Sequence, residues 1–108
     1  MSWAAAAEIL LVGDRISAAE ALRLGLVNRV VPGDAVLPTA QALAAAMAQN
    51  SPLAMRKAKE AMTACSGRTL DEAFGVEDQA IRVVLRSEDA REGSRAFMEK
   101  RKPQFSGR

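Results

Sequence analysis

Four groups of side chains in this sequence are of types that could carry chemistry. Cys65 is the one cysteine and the one strong nucleophile type. It ends an apolar stripe, and no histidine exists to draw off its proton, so it reads as a buried structural thiol. Asp71/Glu72 and Glu77/Asp78 are adjacent carboxylates of the kind that move protons. Neighbours on a helix point in different directions, however, and these pairs read as solvated. Gly13 and Gly25 stand alone, without the further glycines of a phosphate-cradling loop, and read as helix stops. Phe97 and Lys100 lie three apart on a predicted helix, which would put a ring and an ammonium on one face. Such a pair can stack on a planar ring while holding a phosphate. On the residues alone, a core phenylalanine beside a solvated lysine is the simpler account.

The missing residue types exclude as much as the present ones suggest. With no histidine and no tyrosine in 108 residues, a histidine-dependent triad, a histidine zinc site and tyrosine acid catalysis all fall away. No metal site is expected. A single cysteine closes no internal disulfide, and no charged N-terminal region leads into a long apolar stretch. A cytoplasmic protein with no membrane contact is therefore expected. The net charge of +2 is too small for a dedicated nucleic-acid binder. Residues 86–108 nevertheless hold seven basic and four acidic side chains, so any anion should be met at the C-terminal end.

The elements that must position these residues are mostly helical. Ala4 to Val12 reads as a short helix stopped by Gly13. Ser17 and Glu20 have the spacing of a capping box for a second helix, ended by Gly25. Leu26 to Val31 is rich in β-branched residues and is followed by Pro32-Gly33, which predicts one short strand near residues 27–31 and a turn. Asp34 is a candidate cap for an amphipathic helix over 35–49. Ser51-Pro52 caps and starts a helix over 52–65, in which Met55, Ala58, Met62 and Cys65 share a face and Lys57 lies away from it. Thr69 caps a helix over 69–86 with Leu70, Ala73, Phe74, Ile81, Val84 and Leu85 in its stripe and Glu77 inside it. Ser87, Glu88 and Asp89 open a last helix, and Lys100, Arg101 and Lys102 close it, both suited to the macrodipole. Pro103 prevents any extension. A lone strand needs a neighbour, either from a second copy or from chain beyond these residues.

Arg15-Ile16-Ser17-Ala18-Ala19-Glu20-Ala21-Leu22-Arg23-Leu24-Gly25-Leu26-Val27-Asn28-Arg29-Val30-Val31-Pro32 resembles a segment of the enoyl-CoA hydratase/isomerase (crotonase) superfamily. So does Asn50-Ser51-Pro52-Leu53-Ala54 with the Lys57/Lys59 helix. A third match runs from Ser87-Glu88-Asp89-Ala90-Arg91-Glu92-Gly93 through Ala96-Phe97-Met98-Glu99-Lys100-Arg101-Lys102-Pro103 and Phe105. The three occur in the family's order and cover nearly all of the chain after Ala7.

The resemblance implies a mostly α chain, the helical C-terminal bundle of a crotonase-like (ClpP/crotonase) α/β fold. Residues 1–32 would be the tail end of the spiral domain and 33–108 the helical assembly region. It implies acyl-CoA as substrate, most simply a 2-enoyl-CoA undergoing hydration, no separate cofactor, and a homo-oligomer, trimer or hexamer. The oxyanion hole and acid–base carboxylates of the family have no counterpart in these residues, so no catalytic residue is carried over and the chain alone is expected to be inactive. What is carried over is a CoA contact through Phe97 and Lys100, toward a neighbouring subunit. Ile81 departs from members with an aromatic at that position. The rival reading is a non-catalytic helical module that associates with itself or docks to a partner.

Overall fold

The structure, a computed structural model, describes residues 1–108 and contains six α-helices. The chain divides into two compact units, Met1–Ala40 and Gln41–Arg108, with the boundary inside the third helix.

In the first unit, α1 (Trp3–Val12) grows from an alanine run, the strongest helix former. Ser2 Oγ accepts from the Ala5 N–H at its start. Gly13 ends it at φ 74, a left-handed conformation that glycine adopts without a Cβ clash. Helix α2 (Ala18–Arg23) starts on Ser17, whose Oγ accepts from the Glu20 N–H at 3.1 Å. The expected capping box is only half formed. The Glu20 carboxylate turns forward to Arg23, with contacts of 2.5 and 2.8 Å, instead of back to the Ser17 amide. That bidentate pairing holds the Glu20 carboxyl below its ordinary range.

Residues 27–31 form no strand, which corrects the sequence expectation. Their side chains have strand character, but a strand exists only through backbone pairing, and these residues have no ladder partner. Asp34 is likewise not a cap. The chain turns at Pro32, and the Ala35 N–H donates to the Pro32 carbonyl at 2.9 Å, which places Asp34 inside a 3₁₀ turn, Gly33–Ala35. Helix α3 (Val36–Met47) follows directly.

The second unit is built on α4 (Pro52–Ala64), α5 (Leu70–Leu85) and α6 (Glu88–Met98). Every start is capped as the residue types require. Ser51 Oγ accepts from Ala54 N–H and Ser87 Oγ from Ala90 N–H. Thr69 and Glu72 make the full reciprocal capping box, with Glu72 Oε2 accepting from the Thr69 amide at 2.9 Å. Helix α4 packs on α5, and α5 touches α6. Burial is sparse: Ala21 and Ala96 are the only buried apolar residues in the chain. No helix is long and apolar enough to cross a membrane.

Candidate functional site

Between α4 and α5 runs an open apolar groove of about 660 Å³. Ala54, Ala58, Ala61 and Met62 line it from one side, and Phe74 and Ile81 from the other. Cys65 sits in its wall half-buried, not buried as expected, with its thiol 3.6 Å from the Ala73 carbonyl. Lys57 also borders the groove, contrary to its expected place on the outer face, and its ammonium reaches Glu60 at 2.6 Å. A four-carbon stem can cover apolar surface while its charge stays wet. Of the acid pairs, Glu72 is spent on the α5 cap and Asp78 on Arg82. Asp71 and Glu77 are exposed, with Glu77 at the groove edge. No two carboxylates are left facing each other for proton transfer, and nowhere do three or more ligating side chains converge.

The densest polar chemistry lies on α6. Asp89, Glu92, Gly93 and Ala96 recur at the spacing of a buried helical stripe, and two of these four are acids. Asp89 is 2% exposed. Its Oδ2 accepts from Ser51 Oγ at 2.6 Å, and its Oδ1 accepts from the Ser106 amide at 2.7 Å and the Gly107 amide at 3.1 Å. Burial pushes the carboxyl's pKa up, but the hydrogen bonds from Ser51, Ser106 and Gly107 together outweigh it and hold the group below its usual value. One turn on, Glu92 takes Arg101 in both hands, Nη1 at 2.5 Å and Nη2 at 3.0 Å, and accepts from the Gln104 amide at 2.8 Å. The Arg101 guanidinium first, then that amide, lower the Glu92 pKa to about 2.

These bonds lay the tail back along α6 in the reverse direction. Phe105 meets the helix at Gly93, where an added Cβ would lie 3.7 Å from the ring. The tail's end reaches α4, with Arg56 Nη2 donating to the Gly107 carbonyl at 3.1 Å. Asp89, Glu92 and Arg101 escaped the residue-type reading because acids at a helix start and bases at its end already suit the macrodipole. The available signal was their place in the buried stripe, where a charged group must find a partner.

Phe97 and Lys100 do not share a helix face as expected. Helix α6 stops at Met98, with Glu99 as its C-cap, and Lys100 has φ 54, the only non-glycine residue with positive φ. The Lys100 amide donates to the Phe97 carbonyl at 3.2 Å and the Arg101 amide to Ala96 at 3.0 Å. This is a Schellman turn with lysine in the place usually held by glycine. Phe97 is 85% exposed and Lys100 is exposed. The ring is therefore no core residue, and the Lys100 ammonium makes no hydrogen bond or ion pair within the chain. An exposed aromatic and an unpaired cation on one turn can together receive a flat, phosphate-bearing ligand.

Comparison with known proteins places the whole chain. The profile of the enoyl-CoA hydratase/isomerase family matches residues 2–108. Carnitinyl-CoA dehydratase of Citrobacter koseri is 42% identical over 105 residues, which are 94% of this chain and 40% of that protein. 2,3-Dehydroadipyl-CoA hydratase of Escherichia coli is 39% identical over 103 residues, 95% of this chain and 40% of the relative. The crystal structure of enoyl-CoA hydratase from Bacillus anthracis superposes with a TM-score of 0.92 at 39% identity, covering 96% of this chain and 40% of that one. The chain thus spans about two-fifths of the length of the relatives it matches.

Proposed function

Because the chain belongs to the enoyl-CoA hydratase/isomerase (crotonase) family, as its C-terminal part, we propose that it supplies the coenzyme-contacting and assembly region of an acyl-CoA-processing enzyme, most simply an enoyl-CoA hydratase. The observation that carries this reading is the match over residues 2–108, made by relatives that act on CoA thioesters by name. In this reading Phe97 offers its ring to the adenine of CoA and Lys100 its ammonium to the 3′-phosphate. The exposed ring and unpaired lysine support that assignment, and Ile81 adds no aromatic to it. Stabilisation of an enolate by two backbone N–H donors and proton transfer by carboxylates fall outside these 108 residues. The chain by itself is accordingly without turnover.

A second reading, helical self-association, is favoured by one specific observation. Along the α4/α5 groove Met62 is 78% exposed, Leu70 69%, Phe74 57% and Leu85 68%. Apolar side chains left uncovered on one face need a cover, and copies of the chain in a trimer or hexamer would supply it in keeping with the first reading. A cytoplasmic setting accords with the lone unpaired thiol.

The test is ligand discrimination. CoA and 3′-dephospho-CoA are titrated against the chain and its Lys100→Ala variant. A preference for CoA that vanishes in the variant supports the contact. Hydration of crotonyl-CoA that follows the purified chain and is lost on mutating it would overturn the assignment of catalysis to residues outside it.

A further inference from the structure

Resting on the reading of Lys100 as the phosphate contact, we infer that Glu92 is a positioning residue, whose carboxylate fixes Lys100 in the left-handed backbone from which its ammonium meets the phosphate. A lysine at φ 54 is strained by its Cβ, and glycine would close the same turn without that cost. Strain of this kind persists only where the surroundings over-determine it. Here the residues on both sides are anchored. Arg101 is gripped by both oxygens of Glu92 and by Glu99 at 2.6 Å, and its Nη1 also donates to the Lys102 carbonyl at 3.2 Å. Gln104 is fixed through its amide to Glu92.

Within this arrangement Glu92, Glu99 and Arg101 are all paired, while Lys100, which bears the strain, has no partner in the chain. The turn's own hydrogen bonds and the Glu92–Arg101 grip hold this conformation, and they leave the ammonium free to meet a ligand anion. Rotating φ back to the ordinary right-handed region would swing the Cα–Cβ bond and carry the ammonium away from its present direction. Glu92 acts on the ligand only through this turn, since its own oxygens are occupied.

The experiment uses the full 108-residue chain and follows CoA and 3′-dephospho-CoA binding by NMR, together with the Lys100 backbone coupling constant that reports φ. Wild type is expected to prefer CoA about fivefold, the value of one solvent-exposed ion pair. Glu92→Ala and Arg101→Ala should each remove that preference and move the Lys100 coupling out of its left-handed range, and the double variant should lose nothing more. Unchanged α4 and α5 signals check the fold. If Glu92→Ala fails to fold, Arg101→Ala, which removes a more exposed side chain, decides alone. A preference lost in Lys100→Ala but kept in Glu92→Ala and Arg101→Ala overturns the positioning role and leaves the Lys100 contact standing. Equal weakening of both ligands in the Glu92 and Arg101 variants also overturns it, because a merely structural residue would do that. A preference untouched by Lys100→Ala overturns the contact itself and this inference with it.

Discussion

The Ser51 hydroxyl donates to Asp89 Oδ2 at 2.6 Å while accepting from the Ala54 amide at 3.1 Å, so one side chain both caps α4 and ties it to the start of α6. Both roles use the same oxygen, and neither survives its removal. Ser51→Ala should cost about 2–4 kcal/mol, combining a lost cap with a lost hydrogen bond to a buried carboxylate. Chemical denaturation measures it. A cost no larger than that of an ordinary surface substitution would show that the α4–α6 tie contributes nothing.

Acid should release the tail, and the sign follows from the direction of the shifts. Asp89 and Glu92 are both held below their ordinary values, Glu92 at about 2. The unfolded chain therefore takes up protons first as pH falls. Their contribution is complete above the ordinary carboxyl value of 4.5 for Glu and is lost as pH falls from there toward about 2. Amide signals of Gln104, Ser106 and Gly107 should move in that window. Detachment already at neutral pH would contradict the assignment.

How much of this was legible in the residues depends on what kind of interaction made the element. Ser51, Thr69 and Ser87 were read as caps and are caps, because a cap is decided within four residues. Residues 27–31 were read as a strand and are not one, because pairing is decided by a partner that propensity does not contain. The predicted helix through Lys102 ended early for a related reason: the stop is made by bonds from Lys100 and Arg101 and by the distant grip of Glu92. The proposed CoA contact at Phe97 and Lys100 rests on family resemblance. The structure adds that both side chains are exposed and that a turn, not a helix face, carries them.

Phe97→Ala should leave stability within about 0.5 kcal/mol of wild type, since the ring is almost fully exposed. A buried phenylalanine would cost about 3–5 kcal/mol. The same variant should weaken CoA and 3′-dephospho-CoA equally. Thermal melting and the two titrations check both halves.

Lys100→Gly should separate stability from binding. Glycine relieves the left-handed strain, and a gain of about 1 kcal/mol is expected, while the preference for CoA over its dephospho form disappears. A loss of stability would mean that the lysine stem packs usefully on the turn.

Ile81→Glu places a charge in the α4/α5 groove, where Ile81 is already 47% exposed. The folded chain should tolerate it, but any oligomer that covers the groove should not. Sedimentation at tens of micromolar should show assembly for wild type and a shift toward monomer for the variant.

The tail that doubles back on α6 is fastened by two carboxylates, with Phe105 set against Gly93. Opening it would expose little hydrocarbon to water, so the heat-capacity change and the denaturant sensitivity of that step are both small. Urea therefore acts on the opening of the tail only weakly, whereas protons act on it directly. The two ends of this one unit thus answer to different solvents: the hairpin to agents that dissolve apolar surface, the tail to agents that titrate carboxylates.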